Sequence, residues 1–353
     1  MLDRSFFDVF GFSAPAITLD ATRPVAISVV RDEALRLPYF LQHHRSIGVK
    51  HFFIIDDGSQ DATPAILDDA PDVTRIRARG AFRDHKRHWV SAVANTYLND
   101  RWSLFLDADE LLVYPGWPHR SLADLIATLE EHEEEALFVS LVDMYGDGHL
   151  ESLNYPAGAP FLSYCPLFDP DGYILVPREI NRRDDQTPPD YIIGGTRQRL
   201  FFEKRAPNFI ERTLTQKFFS LRRTRELNSI ESHLAWVTWR AVKSRLAKAR
   251  PAMSKVPLFR WRQNDEICKG YHSVKRAMRI SQEWGSLLHF KYLQDFERRA
   301  VGGALEGQLG FHYQHYRDRL AAEKLERIAH PGSRRFDGVH SLIEVGLMRE
   351  RRL

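Results

Sequence analysis

Cysteine is scarce in this chain of 353 residues: Cys165 and Cys268 stand alone, 103 positions apart. That leaves no CxxC spacing for structural zinc and no disulfide framework, so both are read as reduced bystanders. Long apolar runs are missing as well. No stretch approaches the roughly 18 consecutive apolar residues of a membrane-spanning helix, and Met1-Leu2-Asp3-Arg4 puts charge where a signal peptide would carry its apolar core. The expectation is a cytoplasmic protein outside the usual export route. Nor does one sign of charge dominate: 50 Lys and Arg face 47 Asp and Glu, for a net charge of +3. With 43% hydrophobic and 12% aromatic residues, that balance excludes a disordered polyelectrolyte as the main state. At about 150 residues per domain, the length admits two domains, or one large α/β domain with an extension. The chain shows no internal repeat and no low-complexity tract.

The balance conceals a segregation. Between Arg197 and Arg262 there are 17 Lys and Arg against 4 Asp and Glu, an excess of 13. Asp107, Asp109, Glu110, Asp124 and the run Glu130 to Glu135, broken only by His132, lie in the acidic stretch upstream. The basic part suits an anionic partner (nucleic acid, a membrane surface or a phosphorylated substrate) or a solvated face; the acidic part suits a cation.

The first 115 residues read as alternating strands and helices. Val25 to Val30 is a short β-branched run of the kind buried on both faces of a parallel sheet. Pro38 and Gly48 frame a helix, and His51 to Ile55 forms a second strand running into Asp56-Asp57-Gly58-Ser59-Gln60-Asp61. An amphipathic stretch from Asp84 to Leu98 leads to a third strand, Trp102 to Leu106, which ends in Asp107-Ala108-Asp109-Glu110. Connections this long imply parallel strands, whose carboxyl ends share one rim where ligands bind. After the N-cap pair Ser121 and Asp124, a helix leads to an apolar strand, Ala136 to Val142. Residues 143–189 read as loop-rich. Tyr191 to Ile193 and Arg199 to Phe202 resume strand character, and beyond about 226 the pattern is mainly helical: Ile230 to Ala249, Tyr271 to Glu283, Lys291 to Arg299 and Tyr316 to Ala329.

Asp107 and Asp109 carry the strongest local signal. On an extended backbone their side chains would point to opposite faces, so both serve one ion only where the strand has turned. Hard oxygen ligands suit Mg²⁺ or Mn²⁺ bridging to substrate phosphates; an acidic turn without an ion is the plainer alternative. At the other strand end, Asp56 or Asp57 can accept from a ribose hydroxyl or base N–H, while Gly58 allows close backbone approach.

Several segments together resemble the family 2-like glycosyltransferases with a GT-A fold, in particular the bacterial subgroup with "DxDE" after a tryptophan-bearing strand. They are Val29-Val30-Arg31-Asp32-Glu33 with Leu37-Pro38, His43-His44-Arg45 with Gly48-Val49, Ile55 through Asp61, and Trp102 through Leu112. The resemblance covers about residues 24–115 and is joined by Lys255-Val256-Pro257-Leu258 and Leu287-Leu288-His289-Phe290-Lys291. It implies an α/β architecture with a mostly parallel, Rossmann-like sheet and helices on both faces. The catalytic domain would span 1–225, with nucleotide-sugar binding at about 24–115 and the acceptor side at about 136–225. A mainly helical extension, 226–353, would complete the site.

The same resemblance implies a nucleotide-sugar donor, most often a UDP-sugar, and Mn²⁺ or Mg²⁺. Arg31, Asp32 and Glu33 would edge the nucleotide, Asp56 or Asp57 would meet base and ribose, and Asp107 and Asp109 would bind the metal–diphosphate, with Lys86 and Arg83 contacting the diphosphate. His289 is the first choice for a further metal ligand and His272 the second. Inverting transfer needs a base for the acceptor hydroxyl; the acidic pair usual in this family is not obvious, and Asp143 and Asp190 rank ahead of Asp147 and Glu231. Gly194 to Arg199 could grip acceptor phosphate. The acceptor expected is an anionic or lipid-linked glycan of cell-surface polysaccharide or lipopolysaccharide synthesis, reached by peripheral contact with the inner membrane face, and nucleic acid is not expected. Two other readings stay open: a metal-dependent phosphodiesterase or phosphoryl-transfer hydrolase using Asp107, Asp109 and histidines, and a non-catalytic nucleic-acid binder using the basic segment with Trp236, Trp239 and Trp261.

Overall fold

The computed structural model describes residues 4–20, 23–177, 187–202, 208–223, 227–246, 251–268, 271–305, 312–322 and 325–352. The β-branched runs near the start become β1 (Val25–Val30) and β2 (His51–Asp56), joined by helix α2 (Leu37–Ile47); α1 (Arg4–Phe10) precedes them. Pro38 opens α2, and Gly48 closes it at φ 114°, a left-handed conformation glycine adopts without penalty. After α3 (Thr63–Asp68) comes β3 (Val73–Arg77). Next follow α4 (Phe82–Tyr97), β4 (Arg101–Phe105), β5 (Glu110–Val113), α5 (Leu122–Glu131) and β6 (Ala136–Asp143). The expected cap of α5 is present as a reciprocal pair between Ser121 and Asp124.

Further along are β7 (Tyr173–Pro177), β8 (Asp190–Gly194), α6 (Phe209–Phe219), α7 (Ser229–Leu246), β9 (Ser254–Trp261), β10 (Ile280–His289), α8 (Phe296–Leu305), α9 (His312–Ala322) and α10 (Val339–Val345). Eight strands form one sheet in the order β3-β2-β1-β4-β9-β6-β10-β5. The β3-β2-β1-β4 half is parallel. β9 runs antiparallel to β4 and β6, and β10 runs parallel to β6 and antiparallel to β5.

Successive side chains of a strand point to opposite faces, and the two cores follow that alternation. Ala26, Val30, Phe52, Ile54 and Leu104 pack with α2 and α5. Val25, Ile27, Val29, Phe53, Ile55 and Phe105 pack with α1 and α4. The expected α/β architecture, with helices on both faces of the sheet, is therefore present.

Strands from both ends of the chain share this sheet; the expected boundary at 225/226 lies outside the described residues. Helical character beyond 226 holds for α7. Of Lys291 to Arg299 only Phe296 onward is helical, in α8, and of the described part of Tyr316 to Ala329 only the stretch up to Ala322, in α9. Tyr271 to Glu283 is not a helix, and its last four residues enter β10. Ser273 and Val274 pair with Cys268 and Ile267, and Ile280 joins β6, so pairing with other segments overrides local propensity there. Arg199 to Phe202 likewise departs from the strand expectation. It lies in a π-helical turn, Gln198–Phe202, because Gly194 (φ 111°) and Gly195 (φ 68°) swing the chain off β8.

Candidate active site at the carboxyl rim of the sheet

Parallel pairing puts the ends of β1, β2 and β4 on one rim. Val30 is level with Asp56, Ile27 with Phe105, and Leu106 N donates to Ile27 O at 3.1 Å. Asp57 and the Asp107–Glu110 segment therefore open onto the same edge. Beyond β4 the chain turns, with Glu110 N donating to Asp107 O, and re-enters the sheet as β5. His289 of β10 pairs in register with Glu110 on one side and Asp143 on the other.

The turn sends the two aspartates to different partners. Asp107 accepts from Lys86 Nζ at 3.1 Å and Lys255 Nζ at 2.7 Å, and Lys255 also donates to Glu110 at 2.6 Å. Asp109 lies 3.1 Å from His289 Nε2. On the far side of that ring, Nδ1 is 2.7 Å from Asp143 Oδ1, and Arg197 donates to both Asp143 oxygens at 2.8–3.1 Å.

Lys255 reaches the site because β9 shifts register between Lys255 and Leu258, bridging Val256 and Pro257. Proline has no N–H for a ladder and is tolerated inside a sheet mainly at such irregularities. Arg197 arrives through the glycine turn. A Cβ at Gly194 would sit 1.9 Å from Gly172 O, so only glycine lets the chain pass there.

Four carboxylates (Asp107, Asp109, Glu110, Asp143) thus face three permanent cations (Lys86, Lys255, Arg197) and one imidazole. Burial raises the cost of every charge. It would push Asp107 up, but Lys255 and Lys86 hold it well below the usual carboxylate range. Asp109 is held low by His289 against the same penalty. Asp143 stays low, at about 2, because Arg197 and His289 outweigh complete burial. Glu110 is raised: burial exceeds the attraction of Lys255. Burial pulls His289 down, yet Asp109 and Asp143 carry it above its ordinary value.

Asp109, Glu110 and His289 each offer one donor atom, all within 4.8 Å of one another. The two carboxylate oxygens suit a hard divalent cation such as Mn²⁺ or Mg²⁺, while the imidazole is a softer donor. Around the cluster, the hydroxyls of Tyr173, Tyr271 and Tyr292 and Thr196 Oγ1 are buried without a hydrogen-bond partner among the described residues. Buried polar atoms are seldom left so, which fits a site made for further oxygen-rich occupants.

The remaining expected residues fall in three places. At the rim, Asp57 sits 4.0 Å from Arg31 and is pushed up to about 6 by burial, with Arg31 opposing. Asp56, Asp32 and Glu33 are committed to the scaffold. Asp56 holds Arg75 and Ser59 N; Asp32, at φ 53°, accepts from Gln60 N at 2.7 Å; Glu33 pairs with Arg36 and Arg299. His272 lies beside the cluster but outside the donor set: Nδ1 meets Ser254 O at 2.7 Å, and burial drops it to about 3. Arg83 is exposed on α4.

Of the carboxylates considered for acceptor deprotonation, Asp143 is wholly buried and held by Arg197 and His289. Asp190 is not brought to the cluster. It opens β8, four residues before Gly194, and pairs with Arg223 at 3.5 Å. Asp147 is exposed and holds Arg327, and Glu231 caps α7 by accepting from Asn228 N.

Lys255, Arg197 and Arg36 were given no place at the cation site by the sequence, and Glu110 was placed only within the acidic stretch suited to a cation. The signal was a charged residue inside an otherwise apolar strand, Ser254 to Phe259. Arg36, 1% exposed, joins Glu33 behind β1 to Asp295 and Phe290 O behind β10. The grouping of tryptophans in the basic segment dissolves: Trp239 and Trp261 are core residues. Many of its arginines have acidic partners, Arg199 on Asp169 and Arg262 on Glu135 among them.

No protein-family model matches the chain, and no curated protein matches it by sequence. Among solved structures it is similar to a UDP-glucose pyrophosphorylase complexed with UDP-glucose, at 10% identity over 37% of this chain and 60% of that one, TM-score 0.24. A UDP-glucose pyrophosphorylase from Acinetobacter baumanii is similar at 12% identity over 37% and 62%, TM-score 0.24. A 4-diphosphocytidyl-2C-methyl-D-erythritol synthase is similar at 16% identity over 36% and 64%, TM-score 0.25. The chain thus spans less than two thirds of the length of these structures.

Proposed function

We propose that this protein is a metal-dependent, inverting glycosyltransferase that moves a sugar from a nucleotide sugar, in the first instance a UDP-sugar, to a saccharide or lipid-linked glycan. The supporting observation is the convergence on one rim of Asp57 with the Asp109, Glu110 and His289 donor set. Asp109, Glu110 and His289 would hold Mn²⁺ or Mg²⁺, which would neutralise the charge developing on the departing diphosphate.

The chain's own groups divide the remaining work. Asp143, held by Arg197, fixes the His289 ring by accepting at Nδ1, which directs Nε2 toward Asp109. Lys86 and Lys255 hold Asp107 ionised and offer ammonium groups to phosphate oxygens at the same edge. Asp57 meets the nucleoside.

Calorimetry tests this reading. Titration of UDP with Mn²⁺ should show binding that Asp109→Asn weakens by about 100-fold or more, since losing even a group behind the ligands costs roughly 10–100-fold. Hydrolysis of a simple phosphodiester without any sugar nucleotide would instead favour the hydrolase reading, and UDP binding indifferent to Asp109→Asn and to Mn²⁺ would refute the assignment.

A further inference from the structure

Helix α7 is apolar on two sides. Ala235, Trp239 and Val242 are buried against Phe218 and Phe219 of α6 and Val176 and Ile193 of β7 and β8. Its other side shows Ile230 (74% exposed), Leu234 (47%) and Val237 (47%) to solvent. Spacings of four and three residues put these on one stripe, where a water-facing helix normally carries charge. Phe209 and Ile210 stand exposed at the start of α6. Six of the nine large exposed apolar side chains among the described residues belong to this pair of helices.

Charge accompanies the stripe. From Phe209 to Leu246 the sequence holds 8 Lys and Arg against 3 Asp and Glu. Two of those acids, Glu211 and Glu231, are spent on capping the helices, accepting from Asn208 N and Asn228 N. Arg212, Lys217 and Arg240 are exposed and form no ion pair among the described residues. Trp236 borders the stripe, with the Arg240 guanidinium 4.8 Å over its ring and His233 stacked at 5.9 Å.

We propose that the solvent face of α7, with the start of α6, docks the protein on an anionic lipid bilayer. The helix would lie in the interface plane, its apolar stripe among the acyl chains and its cations on the headgroups. A tryptophan at the border of the stripe suits the headgroup level. No helix among the described residues is long and apolar enough to cross a membrane, so contact would be from one side. Self-association through the same face would set like charges against each other. This inference does not depend on the sugar-transfer reading, since vesicle binding needs neither nucleotide nor metal.

Cosedimentation of the full chain with vesicles tests it. Vesicles of mixed phosphatidylglycerol and phosphatidylcholine should retain the protein at least roughly tenfold more tightly than phosphatidylcholine alone, and about 0.5 M salt should release it. The triple variant Ile230→Glu, Leu234→Glu, Val237→Glu should lose retention while keeping the parent's near-ultraviolet dichroism, because these side chains touch solvent. Arg212→Glu with Arg240→Glu should weaken retention roughly tenfold. The lipid and salt comparisons use the parent protein and decide the matter even should a variant misfold. Parent protein that ignores anionic vesicles overturns the proposal, as does a folded triple variant that binds like the parent. A solution dimer that the triple variant splits would overturn it by assigning the face to a second copy.

Discussion

Asp57 is the residue whose environment most clearly works against its own charge. Its neighbour Asp56 is buried but compensated by Arg75 at 2.9 Å, whereas Asp57 meets only Arg31 among the described residues, at 4.0 Å. Such an uncompensated carboxylate in a rim of backbone turns is typical of binding sites. A carboxyl raised to about 6 in the folded state binds more protons folded than unfolded between about pH 4 and 6. Stability from this group is therefore fully present below the unfolded value and is lost as pH rises through about 6. Asp57→Asn should leave the unfolding midpoint unchanged near pH 4 and raise stability above pH 7 by about 1 kcal/mol, after discounting for solvent screening. Parallel midpoint curves for the two proteins from pH 4 to 8 would contradict this. Lys255 shows the opposite economy: buried, it is raised by Asp107 and Glu110 against the desolvation that would lower it.

Among the elements, β10 is the most constrained. It lies between β6 and β5 and carries Gly285 at the point of closest approach. A Cβ there would meet Val113 O at 3.0 Å, Val139 Cγ1 at 3.2 Å and Leu137 Cδ2 at 3.3 Å. Backbone on one side and packed side chains on the other leave little to yield, so Gly285→Val should cost about 1–3 kcal/mol in denaturant unfolding. A variant as stable as the parent would mean that β10 is not clamped as described. Because His289 ends this strand, the same change should loosen the pairing of His289 with Asp109. α2 was legible in the sequence from Pro38 and Gly48, and α5 from Ser121 and Asp124, because caps are local chemistry. The start of β10, read as helix, was not, since the strand takes its conformation from partners more than a hundred positions away.

For the whole molecule, the sheet is assembled from distant parts of the chain. β9 separates β4 from β6, and β10 separates β6 from β5, so the strands before residue 226 are not one contiguous sheet without those after it. A fragment of residues 1–225 would expose the edges of β4, β5 and β6 and lack His289 and Lys255. It should fail to give a cooperative unfolding transition or near-ultraviolet dichroism; a fragment that unfolds cooperatively would refute this. Charge segregation, too, changes meaning at this scale. Much of the basic excess between Arg197 and Arg262 is compensated by Asp143, Asp169, Asp190, Asp100 and Glu135 elsewhere in the chain. What stays uncompensated among the described residues includes Arg212, Lys217 and Arg240 of α6 and α7.

Local chemistry in the sequence determined the strand–helix alternation over residues 25–113, the caps, and the acids at the strand ends. Parallel connection alone carries those ends to one rim. Only the tertiary structure decided which acids share a centre. The β4–β5 turn parts Asp107 from Asp109, the bulge at Val256–Pro257 delivers Lys255, and the Gly194–Gly195 turn buries Arg197 on Asp143. Periodicity reports burial along one segment, while the partner of a buried charge is set by pairing register between segments that sequence separation hides.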